Sequence, residues 1–158
     1  MNWITYFFSI CDTVAKKSKD PSTKVGSIIV GPIHEIRSTG YNGFPRGVHD
    51  TESRLKDREM KYRLTIHAEL NAILSAARNG VSLEDCILYT QWYPCHECAK
   101  AIIQAGIKHV IISGSFLDVR GTSGWEESFK TAKEMFNEAK VGVKIYTTAQ
   151  LNTMKESK

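Results

Sequence analysis

The chain has no apolar run of about 18 residues, the least a membrane-spanning helix needs, anywhere in its 158 residues. Internal repeats, linkers and low-complexity tracts are also missing, so neither a solenoid nor a string of modules is expected. Two glycine-rich stretches occur, 40–47 and 114–124, but neither ends in GK[ST] nor carries GxGxxG spacing. That excludes a phosphate-cradling P-loop and a dinucleotide fingerprint. The opening residues, MNWITYFFSICDTVAKKSKD, are apolar at first yet have no basic start and no small-residue cleavage site. They are expected to form an amphipathic helix and not a signal peptide. Cysteine is scarce, with four residues. Two of them sit in one CxxC, leaving Cys11 and Cys86 in apolar segments as buried thiols, a pattern suited to a reducing cytoplasm. One-sided charge is lacking too. The formal net charge is +4, with acidic residues interspersed throughout, which favours phosphate-bearing ligands but is no nucleic-acid footprint.

What remains is 42% hydrophobic, enough for one globular domain spanning 1–158 with a real core. Its chemistry-bearing residues form one split motif, His67-Ala68-Glu69 followed later by Pro94-Cys95-His96-Glu97-Cys98. Two thiolates and an imidazole are ligands for Zn²⁺. A structural zinc site closes with a fourth protein ligand, whereas a catalytic one leaves that position to water. There is no second CxxC and no H-x₃₋₅-H, so a closed site would need a ligand from elsewhere, and the catalytic reading is preferred over a structural or redox one. Glu69 lies two residues from His67, where a carboxylate outside the coordination sphere can take a proton from such a water. H-x-E with P-C-x-x-C is the pattern of zinc nucleobase deaminases.

Helical spacing of Trp3, Phe7, Ile10 and Val14 predicts a helix over 2–18, and Asp20-Pro21-Ser22-Thr23 a turn. Strands at 25–30 and 33–39 read as a hairpin, and 40–47 as a loop in which Asn42 serves either a turn or a sugar hydroxyl. Residues 48–64 are charged without a clear period and read as a solvated loop or short helix. Then follow a helix at 66–77, a strand at 86–91, a helix at 95–105, a strand at 109–113 and a helix at 125–139. A strand at 143–147 and a helical tail at 148–158 complete the chain. Two helix starts therefore carry the three ligands, and a helix N-terminus favours thiolate. His96 is expected to point away from the cysteines into solvent. The 114–124 loop reads equally as a surface connection or as a lid whose Arg120 clamps a phosphate. The order of elements implies an α/β fold, a three-layer α-β-α sandwich around a five-stranded mixed sheet.

The runs SKDPSTKVG at 18–26, GYNGFPRG at 40–47, HAELNAIL at 67–74 and PCHECAKAIIQAGIKHVI at 94–111 closely resemble the deoxycytidylate (dCMP) deaminase family. The resemblance implies a cytidine deaminase-like fold and a cytoplasmic, zinc-dependent hydrolase that converts dCMP to dUMP and ammonia, feeding thymidylate synthesis. It implies His67, Cys95 and Cys98 as zinc ligands, Glu69 as proton shuttle, and Asn42 as a sugar contact. Ala68 and Tyr93 are expected at the substrate. By the same resemblance, Tyr41 and Gly43 would contact nucleotide effectors (dCTP, or dTTP with Mg²⁺), and the assembly would be a homohexamer.

Overall fold

Strand β1 (Gly26–Val30) is the axis of the molecule, with all five residues buried. In this computed structural model, residues 1–116 and 124–156 are described, so Arg120 lies outside the described residues. Strand β2 (Ile36–Tyr41) and strand β3 (Ile87–Thr90) flank β1 and are both antiparallel to it. Strands β4 (His109–Ser113) and β5 (Gly142–Tyr146) extend the sheet in parallel, giving the order β2-β1-β3-β4-β5. Only β1 and β2 form a hairpin, β3 joining β1 after the intervening helices, while each parallel step is spanned by a helix. That is the mixed five-stranded α/β sheet expected from the element order.

Helix α1 (Trp3–Ala15) begins at Asn2, whose side chain accepts from the Thr5 amide at 3.0 Å, a normal N-cap. Its Phe7, Phe8 and Cys11 meet Ile28, Val30, Tyr89 and Tyr146 on one face of the sheet. The last helix, α7 (Thr148–Glu156), lies on that same face and inserts Leu151 into the cluster, so the tail is docked at that point. On the opposite face, helices α4 (Ala68–Arg78), α5 (His96–Gln104) and α6 (Glu126–Glu138) cover Ile29, Leu88, Val110 and Ile112. Ile28 and Ile29 therefore point into different cores, as the period of two requires.

Two glycines set the distance between layers. A Cβ on Gly26 would stand 2.1 Å from the Cys11 carbonyl oxygen of α1, and one on Gly40 would stand 2.3 Å from the Ala68 oxygen and Ala72 nitrogen of α4. Only a residue without a side chain permits these approaches.

The hairpin's second strand starts later than expected. Residues 31–35 are taken up by a turn, closed by Gly31 N–H to Glu35 carbonyl at 2.8 Å with His34 at φ 69°. Gly40 and Tyr41 belong to that strand and not to the loop. The charged stretch 48–64 folds as two short helices, α2 (Glu52–Lys56) and α3 (Arg58–Leu64), capped by the side chains of Thr51 and Asp57. No helix among the described residues is long and apolar enough to cross a membrane.

Candidate active site

His67 and Cys95 occupy equivalent places, the N-cap positions of α4 and α5. His67 makes no capping bond with its side chain, which leaves the ring free to turn toward α5. Cys95 Sγ accepts from the Cys98 amide at 3.5 Å, so the helix start holds both sulfurs on one side. His67 Nδ1 lies 3.4 Å from Cys95 Sγ and 3.6 Å from Cys98 Sγ. Zinc–nitrogen bonds of about 2.05 Å and zinc–sulfur bonds of about 2.3 Å at a tetrahedral angle require an N···S edge of about 3.6 Å. The triad has that edge, with all three donor atoms within 4.8 Å of one another. A borderline nitrogen and two soft sulfurs suit Zn²⁺ over Mg²⁺ or Ca²⁺. Among the described residues no fourth His, Cys, Asp or Glu joins this group, so these residues supply three of the four ligands of a tetrahedral site. His96 turns away as expected, with its Nδ1 2.8 Å from Ser128 Oγ on α6.

The charges of the triad fit cation binding. Hydrogen bonding from the Cys98 thiol, aided by His67 and the Cys98 amide, pulls the Cys95 thiol down to about 4. The same bond to Cys95, together with burial, pushes Cys98 up. Hydrogen bonding to Cys95 raises His67. The paired sulfurs thus favour a single negative charge, and a divalent cation is what stabilises the second.

Glu69, in the first turn of α4, is 4% exposed. Its Oε1 accepts from Thr90 Oγ1 at 3.1 Å, and its Oε2 is 3.9 Å from Cys98 Sγ. Burial raises this carboxyl above the ordinary glutamate range, the condition under which a carboxyl both takes and returns a proton near neutral pH. It stands beside the three ligand atoms without being one of them.

Glu69, His67 and Cys95 form the inner wall of a cavity of about 480 Å³. Aromatic side chains, Trp92, Tyr93, Trp125 and Phe129, line that end. Trp125 stacks on Phe129 at 6.0 Å and stands edge-on to His67 at 5.9 Å. The outer end is made by the 20–23 turn and by α2 and α3, including Arg58, Lys61 and Tyr62. Most of residues 48–64 are solvent-exposed in short helices, as expected, but Leu55, Lys56, Arg58, Lys61 and Tyr62 wall the cavity and Lys61 is buried. Its Nζ donates to Asp20 Oδ1 at 3.1 Å and to Ser22 Oγ at 3.3 Å, and Asp20 Oδ1 also accepts from the Ser22 and Thr23 amides. Neither α2 nor α3 is long enough to show a helical period, so the charged sequence concealed this role.

Of the other residues singled out by the sequence, Asn42, Ala68 and Tyr93 all line this cavity. The Asn42 amide is engaged at both ends: Oδ1 accepts from the Val25 amide and Nδ2 donates to the Thr23 carbonyl, each at 2.8 Å. It braces the turn that forms the cavity's rim. Tyr41 and Gly43 border a second cavity of about 70 Å³, together with Lys17, Lys19 and Asp50. Thr90 was not legible as a site residue, since a threonine in a β-branched strand is ordinary and nothing in its spacing ties it to Glu69.

An α-β-α sandwich with a three-residue His/Cys/Cys group suited to zinc and a buried carboxyl beside it is the architecture of a zinc-centred hydrolytic site. Residues 1–114 match the model of the cytidine and deoxycytidylate deaminase zinc-binding region. The chain is 41% identical to an uncharacterized deaminase in the luxG 3′ region of Aliivibrio fischeri, over 89% of this chain and 91% of that protein. It is 39% identical to the deoxycytidylate deaminase of Mus musculus, over 86% of this chain and 79% of that protein. The dCMP deaminase of cyanophage S-TIM5 shares the fold, with a TM-score of 0.66 at 24% identity over 90% of this chain and 96% of that one. The chain belongs to the cytidine and deoxycytidylate deaminase family.

Proposed function

We propose that this protein hydrolyses dCMP to dUMP and ammonia. The observation that carries the reading is Glu69, buried beside His67, Cys95 and Cys98 at the closed end of a cavity with room for a nucleotide. The likeness to a deoxycytidylate deaminase over 86% of the chain supports dCMP as substrate. His67, Cys95 and Cys98 would hold the zinc, which when bound supplies the Lewis acid that makes water nucleophilic near neutral pH. Glu69 takes the proton that this water sheds and delivers it to N3 of the cytosine. As the oxygen of that water bonds to C4, its second proton would pass through the same carboxylate to the amino group, which leaves C4 as ammonia while the oxygen becomes the carbonyl of uracil. Trp92, Tyr93 and Trp125 wall the ring and exclude bulk water.

The phosphate would lie toward α3. Arg58 is stacked over the Tyr62 ring at 5.5 Å and has no carboxylate partner among the described residues, whereas Lys56 is paired with Glu52 and Lys61 with Asp20. Arg58 is thus the candidate phosphate clamp among the described residues, outside which Arg120 lies. Lys17 beside Tyr41 and Gly43 supports the second cavity as the place where an anionic effector approaches, while Lys19 there is paired with Asp50.

Ammonia release measured side by side on cytidine, CMP, dCMP and dCTP tests the reading. Turnover of dCMP should exceed that of CMP and cytidine by a wide margin. Equal rates on ribo- and deoxyribonucleotides would remove the sugar assignment, and no release from dCMP would remove the function.

A further inference from the structure

Behind Glu69 stands a line of two buried hydroxyls that zinc binding does not require. Ser27 Oγ on β1 donates to Thr90 Oγ1 on β3 at 2.9 Å, and Thr90 Oγ1 donates in turn to Glu69 Oε1 at 3.1 Å. Both residues are fully buried, and the antiparallel register sets them directly opposite each other. Their strand neighbours are Ile28, Ile29, Leu88 and Tyr89. Packing alone would be served there by another aliphatic pair, while a buried hydroxyl is costly unless bonded.

The direction of the line follows from counting protons. A hydroxyl has one to give. Thr90 spends its own on Oε1, so it meets Ser27 as an acceptor, and Ser27 is the donor that completes it. At the other end, Oε2 is left on the side of Cys98 Sγ, at 3.9 Å. The terminal torsion of a glutamate is broad and nearly two-fold, so the side chain does not by itself choose which oxygen faces the metal.

We propose that Thr90, backed by Ser27, is a positioning residue for the reaction: it anchors Oε1 and so presents Oε2 to the metal end as the oxygen that carries protons. The inference rests on Glu69 being the shuttle. Without the anchor, the carboxylate turns among orientations of which only some face the water and the ring nitrogen. kcat should then fall while substrate affinity, set by other walls of the cavity, holds.

The test uses the zinc-loaded full chain, with Thr90→Val as the isosteric loss of the hydroxyl and Thr90→Ser as the variant that keeps it. Loss of a hydrogen bond to a charged group corresponds to roughly 10- to 100-fold in rate. Thr90→Val should lower kcat for dCMP by that factor with KM and zinc content unchanged, and Thr90→Ser should restore it to within about threefold of the parent. In a Glu69→Gln background, Thr90→Val should add no further loss, because it acts only through the carboxylate. A crystal structure of Thr90→Val should show the Glu69 carboxylate rotated from its parent orientation, a readout independent of turnover. Should Thr90→Val fail to fold, Ser27→Ala removes only the outer donor and should cost several-fold in kcat, again abolished by Glu69→Gln. An additive loss in the Glu69→Gln background, or an unmoved carboxylate with full kcat, overturns the proposal. If the parent releases no ammonia from dCMP, the function reading falls, and the carboxylate's orientation in the crystal still decides this one.

Discussion

Replacing Glu69 by Gln separates proton transfer from everything else the site does. The amide keeps the length and shape of the side chain, and its oxygen still accepts from Thr90 Oγ1, which lies 3.1 Å from Oε1 in the parent. What is lost is the capacity to carry a proton. General acid–base groups contribute about 10²- to 10⁴-fold, and at about 1.36 kcal/mol per tenfold that is about 2.7 to 5.4 kcal/mol of barrier. In the proposed mechanism one carboxylate handles two transfers, so kcat is expected to fall to the far end of that range. The fold should not suffer. Glu69 is 4% exposed and burial raises its pKa, which means that its charged form is a cost to stability above the ordinary glutamate range. Gln carries no such charge, so the melting temperature at neutral pH should be at least that of the parent. Steady-state kinetics on dCMP, elemental analysis for zinc and a thermal melt on this variant suffice. Activity within tenfold of the parent would mean that another base does the chemistry, and loss of zinc together with activity would make Glu69 a support of the metal site instead.

Removing a sulfur ligand by Cys95→Ala or Cys98→Ala should abolish zinc and activity together, read by elemental analysis and ammonia release; a metal-free variant with full activity would refute the site. Arg58→Gln should raise KM for dCMP about tenfold, the loss of a charge-assisted hydrogen bond, while changing deoxycytidine turnover little; equal changes on both substrates would exclude a phosphate contact. Lys61→Ala removes the cationic partner of Asp20, in a pair whose side chains are 9% and 11% exposed, and leaves that carboxylate to the Ser22 and Thr23 amides. The expected cost is about 3 kcal/mol, or a melting temperature lower by roughly 6–12 °C. Burial alone would raise the Asp20 carboxyl, but the Thr23 and Ser22 amides and the Lys61 ammonium outweigh it and hold the group below the usual aspartate range. Its stabilising contribution is therefore complete at neutral pH and lost as pH falls through that lowered pKa. Melts of Asp20→Asn against the parent should show a deficit at pH 7 that closes in acid, and a deficit that widens in acid would reverse the sign of the argument.

The metal triad was readable because its chemistry is local. Each ligand falls at a helix start that the sequence announces, His67 before an apolar period and Cys95 after a proline. The sheet was readable for a similar reason, since the order of strands and intervening helices leaves few ways to connect them. The partners brought from far along the chain were not readable. Ser27 meets Thr90 and Lys61 meets Asp20 only after the strands and α3 are in place, and none of the four has a spacing that marks it. Residues 48–64 are largely solvated as their charge suggested, but the few that wall the cavity were hidden because helices of five and seven residues are too short to show amphipathic periodicity. Asn42 shows the limit in the other direction. Its place in a turn and its place at the cavity were both anticipated, and the structure has it doing the first while lining the second.

Gly40 gives the edge of the sheet an influence over chemistry that its position would not suggest. A methyl group there would run into the Ala68 carbonyl and the Ala72 amide, and Ala68 is the residue between His67 of the His/Cys/Cys group and the buried carboxyl of Glu69. The outermost strand thus acts as a gauge block for the first turn of α4. Thickening it by one carbon would lift that turn off the sheet, carrying Glu69 away from the strand-borne hydroxyl of Thr90 and tilting His67 relative to the cysteines of α5. Tolerance at position 40 is therefore governed by clearance to a helix, and an alanine there should register in folding and in turnover together.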